Sequence, residues 1–91
     1  MTVRNELDNA RFIEIGYNIQ YYRKHKGLTQ EDLAEKLGIS RQHLGAIEAP
    51  RIIRPISMDL LFNIADALEV DPKDLLDFHQ YNITKKEKHE K

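Results

Sequence analysis

The sequence contains no cysteine, and this absence excludes several chemistries at once. A disulfide scaffold, a thiolate zinc site and catalysis by a thiol all require that residue. No apolar run approaches the roughly 18 residues that a membrane helix needs. The first residues, MTVRNELDNARF, lack the apolar segment of a secretory signal. These absences favour a cytoplasmic protein without a membrane span.

Recognisable catalytic and metal-binding patterns are also missing. The four histidines do not have the spacing of a metal site. No nucleophile is paired with a base, and no glycine-rich phosphate loop occurs. Asp71 and Asp74 have the spacing of helix-capping residues and not that of a catalytic carboxylate pair. We therefore expect no metal, no cofactor and no enzymatic activity.

Net charge is nearly absent, at −1 over 91 residues, but the charges are unevenly distributed. Residues 23–54 contain seven basic and four acidic side chains, whereas residues 55–83 contain one basic and six acidic ones. Such a division into a basic and an acidic half is typical of a domain that turns one face toward phosphate groups. The length and the hydrophobic fraction of 41% predict one small domain with a modest core.

Helical periodicity is present along most of the chain. The first predicted helix covers residues 12–26, and residues 1–11 either extend it or remain loose. Its apolar face consists of Phe12, Ile15, Ile19 and Tyr22. Further helices are predicted over residues 30–37 and 41–48, after Ser57, and from Pro72 onward. Without a strand pattern or an internal repeat, the sequence predicts five helices with short connections.

Residues 29–48, TQEDLAEKLGISRQHLGAIE, predict two short helices joined by a tight turn. Thr29 and Ser40 are suitable N-caps, because their hydroxyl oxygens can accept backbone N–H groups. Gly38 suits the left-handed conformation in which many helices end. Apolar residues of both helices fall on one side and predict a shared buried face. Helix, short turn with glycine, helix is the helix-turn-helix arrangement.

Residues on both sides of this stretch extend the pattern. They are Ile19, Arg23, Gly27, Leu28, Gln30, Ala34, Gly38, Leu44, Ile47, Glu48, Pro55, Ser57, Leu61, Ile64, Ala65, Leu68, Val70 and Leu75. Together they resemble the phage-repressor and Cro-like helix-turn-helix family, the XRE family, over about residues 12–78. The resemblance implies an all-α, compact five-helix lambda-repressor-like DNA-binding domain over residues 12–80. Residues 1–11 would be an extension, and residues 81–91 a charged tail for which disorder is expected.

In that family the second helix of the motif enters the major groove of DNA with its first residues toward the base edges. The resemblance therefore implies base contacts from Ser40, Arg41, Gln42, His43 and Gly45. Arg41 can bond guanine through two atoms, and Gln42 can pair with adenine. Alternatively Arg41 contacts only phosphate, and Gln42 and His43 are simply solvated. The small Gly45 predicts a close approach of the helix backbone to DNA.

Phosphate contacts are expected at the start of the first motif helix and in the loop after the second. In the family the residue matching Gln30 bonds a phosphate, and the free amides of that helix end assist it. We therefore assign Thr29 and Gln30 to phosphate. Arg51 and Arg54 are further candidates because they are basic and follow the second helix of the motif, the recognition helix. Such contacts supply affinity and register without sequence information.

Arg23 and Glu48 match a family pair that forms a partly buried salt bridge between the first helix and the end of the recognition helix. The alternative is that they are two unrelated surface charges. The chain departs from the family directly afterward, where Ala49 and Pro50 replace a polar residue and a glycine. Proline cannot take a positive φ, so the helix is predicted to end before Pro50 with Ala49 extended.

Double-stranded DNA is the expected partner, bound by a homodimer at a roughly palindromic site. The residues Phe78, Tyr81 and Ile83 are candidates for the dimer contact, although they equally fit packing within one chain. Ile52 and Ile53 are unusually apolar for a DNA-facing loop and either pack on the core or join a subunit interface.

The leading functional hypothesis is a sequence-specific transcriptional regulator that acts as a repressor. One alternative is an antitoxin that binds operator DNA and a toxin protein, since antitoxins of this fold exist. Another is a protein-interaction module that kept the fold and lost DNA binding, which the near-neutral charge and the Ala49-Pro50 change favour slightly.

Overall fold

The computed structural model describes residues 6–52 and 54–78. In chain order the helices of this part are α1 (Glu6–His25), α2 (Gln30–Leu37), α3 (Arg41–Glu48), α4 (Met58–Leu68) and α5 (Pro72–Leu75). The described residues contain no strand, and the predicted all-α, five-helix class is confirmed. None of these helices is long and apolar enough to span a membrane.

The first helix is longer than the apolar pattern alone indicated. It begins at Glu6 and therefore runs ahead of Phe12 by more than a turn. Ile15 and Ile19 are buried, while Phe12 and Tyr22 are partly buried against the core. The predicted face of α1 is thus the one that packs inward.

Local hydrogen bonds fix both ends of α2. The Thr29 hydroxyl oxygen accepts the N–H of Asp32 at 3.0 Å, and the Asp32 carboxylate accepts the N–H of Thr29 at 3.0 Å. This second bond lowers the pKa of Asp32, because it stabilises the charged carboxylate. Gly38 ends the helix with a φ of 71°, which an L side chain rarely adopts.

The later helices begin with the same chemistry. Ser40 and Ser57 precede α3 and α4, and each hydroxyl oxygen accepts the N–H three residues later, at 2.9 and 3.1 Å. Before Pro72, the Asp74 carboxylate accepts the N–H of Asp71 at 3.2 Å. The starts of α2 to α5 are therefore set by residues within one turn of each.

The core lies where α3 packs against α1 and α2, and where α4 packs against α1, α2 and α5. Its buried apolar members are Ile15, Ile19, Leu33, Ala34, Leu44, Ile47, Leu61, Ile64, Ala65, Leu68 and Leu75. All five helices contribute to this cluster, so α3 is held from behind by the rest of the domain.

Two polar side chains, one in α1 and one directly after it, bind the C-terminal part of the described chain. The Asn18 amide donates to the carbonyl oxygens of Leu75 at 2.9 Å and Asp77 at 3.0 Å. Lys26 Nζ lies 2.8 Å from Oε1 of Glu69, which ends α4 in the left-handed region with a φ of 60°. The hydrogen bond and charge of Lys26 lower the pKa of Glu69. These contacts connect the middle and the end of the N-terminal helical segment to the C-terminal part of the domain.

Candidate nucleic-acid interface

The α2–α3 pair has the geometry of a helix-turn-helix. Leu33 of α2 and Leu44 of α3 are fully buried and face the common core. The turn between the helices contains Gly38 and the N-cap Ser40. Because the apolar side of α3 faces inward, its opposite side is left to solvent.

The predicted base-contact residues lie at the start and on the outer side of α3. Arg41 and Gln42 are exposed, and His43 and Gly45 are partly exposed. Ser40 is exposed, but its side-chain oxygen is already engaged as the cap of α3. The first turn of α3 contains no acidic residue that would repel phosphate. Two long donor side chains are therefore available at the helix N-terminus.

A buried ion pair holds the far end of α3. Arg23 Nε lies 2.8 Å from Oε2 of Glu48, and Arg23 Nη2 lies 2.9 Å from Oε1. The two side chains are only 7% and 1% exposed. Arg23 Nη1 also donates to the carbonyl oxygen of Leu28 at 2.8 Å. One guanidinium thus connects α1, the turn before α2 and the end of α3.

Gln30 joins this network from the first position of α2. Its Nε2 donates to Oε1 of Glu48 at 3.0 Å. The sequence indicated Gln30 as a phosphate ligand and gave no sign of this contact. The preceding Thr29 is exposed and closes the start of α2 through its mutual bonds with Asp32.

The loop after α3 carries the other candidate phosphate ligands. Ala49 is extended, with φ −74° and ψ 128°, as the following Pro50 requires. Arg51 and Arg54 are both exposed. Ile52 is 48% exposed and so is not a core residue, and Ile53 lies outside the described residues.

Gly16, in the middle of α1, helps to position α3, and the sequence analysis did not identify it. A Cβ atom at this position would collide with the backbone carbonyl oxygen of Ile47 and reach 3.4 Å from Cα of Glu48. The backbones of α1 and α3 therefore touch here. A signal was available, since Gly16 stands three and seven residues before Ile19 and Arg23, on the buried face of α1.

Only one of the three candidate dimer residues lies in the part of the chain that the structure describes. Phe78 is partly buried against the core, which fits packing within one chain. Tyr81 and Ile83 lie outside the described residues. Exposed apolar side chains that the sequence analysis did not select occur on α4, where Met58 is 60% and Phe62 44% exposed.

Comparison with known proteins places these features in a family. The family model described as Helix-turn-helix matches residues 19–75. The chain is 46% identical over 57 residues to MJ0272 of Methanocaldococcus jannaschii, an uncharacterized HTH-type transcriptional regulator, covering 63% of this chain and 83% of the relative. It is 38% identical over 63 residues to the HTH-type transcriptional regulator SinR of Bacillus subtilis, covering 69% of this chain and 56% of SinR.

Solved structures agree with this assignment. The master regulator for biofilm formation SinR, in complex with DNA, matches with a TM-score of 0.63 at 38% identity, over 69% of this chain and 98% of that one. The restriction-modification controller protein C.AhdI from Aeromonas hydrophila matches with a TM-score of 0.66 at 32% identity, over 72% of this chain and 97% of that one. The range that the family model matches, residues 19–75, contains α2, α3 and both members of this chain's ion pair between Arg23 and Glu48.

Proposed function

This chain belongs to the XRE-type helix-turn-helix family of DNA-binding transcriptional regulators, and on that premise we propose that it is a repressor that reads DNA sequence with α3 as a homodimer. The family is a class of DNA-binding regulators and not of enzymes. Repression, dimer formation and the role of α3 go beyond the family assignment and belong to the proposal.

The observation that carries the proposal is the contrast between the two sides of α3. Its inner side packs against the core through the buried Leu44 and is bound to α1 by the ion pair of Glu48 with Arg23. Its outer side presents Arg41 and Gln42 to solvent at the helix N-terminus. A rigidly held helix with two multi-donor side chains at its start is suited to the major groove.

Each outer residue has a proposed role. Arg41 bonds O6 and N7 of guanine, and Gln42 pairs with adenine, each discriminating by roughly 1–3 kcal/mol. His43 and the Ser40 hydroxyl contact neighbouring base edges. Gly45 has no side chain, so the α3 backbone can approach the floor of the groove closely at this position. A Gly45→Glu variant that folds and keeps full affinity would refute this role for the glycine.

Phosphate groups are contacted from both sides of α3. Thr29 and Gln30 lie at the start of α2, where unpaired backbone N–H groups favour an anion. Arg51 and Arg54 are exposed in the loop after α3 and add positive charge. The acidic residues of α4 and α5 then face away from DNA.

A homodimer would place two copies of α3 in successive major grooves about 34 Å apart. The DNA complex of SinR supports the DNA-binding half of this proposal, since SinR shares 38% identity with the chain. Sedimentation of the protein, free and bound to DNA, tests the other half. A monomer in both conditions would refute the dimer.

The function is tested by selecting bound sites from a random DNA pool and titrating salt on the enriched site. We expect a palindromic site and a steep loss of affinity with salt, because phosphate contacts release counterions. Arg41→Ala should relax the preference at one base position in each half-site. As the matched control, Arg54→Ala should weaken binding evenly across sequences. Absence of any enriched sequence, with weak binding even at low salt, would refute the proposal and direct attention to a protein partner.

A further inference from the structure

Three side chains from three helices form one continuous hydrogen-bonded chain. Glu48 Oε1, at the end of α3, accepts from Arg23 Nη2 of α1 at 2.9 Å and from Gln30 Nε2 of α2 at 3.0 Å. Arg23 and Glu48 are both buried, whereas Gln30 is only partly buried. Gln30 is therefore the point where the buried network reaches the surface of the helix-turn-helix.

The direction of the Gln30 amide is determined by its partner. A carboxylate only accepts hydrogen bonds, so the NH₂ group must face Glu48 and the carbonyl oxygen must face away. That oxygen lies beside Gly45, 3.6 Å from where a Cβ atom of residue 45 would stand. The Gln30 side chain thus crosses from α2 to the middle of α3, next to the outer face that carries Arg41.

We propose that Gln30 is a positioning residue that fixes the angle between α2 and the recognition helix through Glu48, in addition to any phosphate contact it makes. The inference rests on the proposed function, since it concerns how α3 reads DNA. It gives Gly45 a second role, because a side chain longer than that of alanine there would compete with the Gln30 amide for space. Glu48 in turn aligns Gln30 only while Arg23 holds its carboxylate.

Positioning and phosphate contact predict different binding patterns. Loss of a phosphate contact weakens binding to all sequences by the same factor. Loss of positioning lets α3 shift, so that binding to the selected site suffers more than binding to a site with a changed base. The ratio of the two affinities separates these cases.

The test uses synthetic duplexes carrying the selected site or that site with one base pair changed in each half. For Gln30→Ala we expect this affinity ratio to fall by about tenfold, which lies within the discrimination that one bidentate base contact supplies and a shifted α3 would lose. Arg51→Ala, the phosphate control, should weaken binding to both duplexes while keeping the ratio. Circular dichroism of each variant confirms that the helices remain folded.

A second variant tests the hydrogen bond itself. Gln30→Glu sets a carboxylate against Glu48 Oε1, so that two acceptors face each other, and should lower the ratio at least as far as Gln30→Ala. A role limited to phosphate contact predicts weaker binding to both duplexes with an unchanged ratio, since a carboxylate at position 30 repels phosphate whichever base pair is present.

An unchanged ratio in Gln30→Ala or in Gln30→Glu would overturn the inference while the wild type still prefers its site. A wild type without any preference would overturn the proposed function and this inference with it.

Discussion

Replacing Gly16 with alanine should destabilise the domain although alanine is the better helix former. The added methyl group would collide with the carbonyl oxygen of Ile47, a backbone atom that cannot rotate away. Relief requires α1 and α3 to move apart, and this would disturb the ion pair that Arg23, on the same face of α1, forms with Glu48, the residue next to Ile47.

The magnitude follows from two opposing effects. Alanine gains about 1 kcal/mol over glycine inside a helix. Forcing an extra methyl group into a packed contact costs about 1–3 kcal/mol, and the upper end applies here because backbone meets backbone. The net loss is about 2 kcal/mol, which for a domain of this size lowers Tm by roughly 10 °C.

Urea unfolding followed by circular dichroism measures this effect, and Gly45→Ala is the matched control. A Cβ at Gly45 meets only Oε1 of Gln30 at 3.6 Å, an ordinary contact distance. Gly45→Ala should therefore raise the free energy of unfolding by about 1 kcal/mol through helix propensity alone. A Gly16→Ala variant as stable as wild type, or more stable, would refute the reasoning from close backbone approach.

Three further predictions concern charged and titratable groups. Arg23→Met should lower the free energy of unfolding by about 3–5 kcal/mol in urea denaturation, because it leaves the buried Glu48 carboxylate without its counter-charge and with only the neutral Gln30 amide as a partner; a loss below 1 kcal/mol would contradict a buried pair. Folding lowers the pKa values of the Asp32 and Glu69 carboxyl groups from their ordinary values of 3.8 and 4.5. The two carboxylates therefore stabilise the fold above those ordinary pKa values, and this stabilisation is lost as the pH falls through the lower pKa values of the folded state. An Asp32→Asn, Glu69→Gln double variant should lose stability less steeply in acid than the wild type. Burial, aided by acidic neighbours, raises the pKa of Tyr22 above 10.0, so stability should decrease above that pH and Tyr22→Phe should remove part of this decrease.

The helix ends were the part of the fold most open to prediction from sequence. Caps act within one turn, so Thr29, Gly38 and Ser40 could be recognised without any knowledge of tertiary structure. The extended conformation of Ala49 followed in the same way from Pro50. Helical spacing likewise identified the buried faces, because burial requires a periodic apolar stripe.

Contacts between helices were less accessible. Spacing identifies the face of α1 that packs inward but not the atom that each residue meets, so the collision that keeps residue 16 a glycine was missed. The same holds for Gln30, whose amide suits phosphate and a carboxylate equally well. The ion pair between Lys26 and Glu69 joins residues far apart in the chain, and no local sequence pattern predicts it.

The separation of the two sides of α3 also affects how such a regulator evolves. Arg41 and Gln42 stand outside the network that holds the helix, whereas Leu44 and Glu48 are inside it. If α3 reads DNA as proposed, substitutions at the two outer positions change which bases are read and cost little in folding, since they remove no buried contact. A duplicated gene could therefore acquire a new operator through very few mutations while the scaffold stays constant.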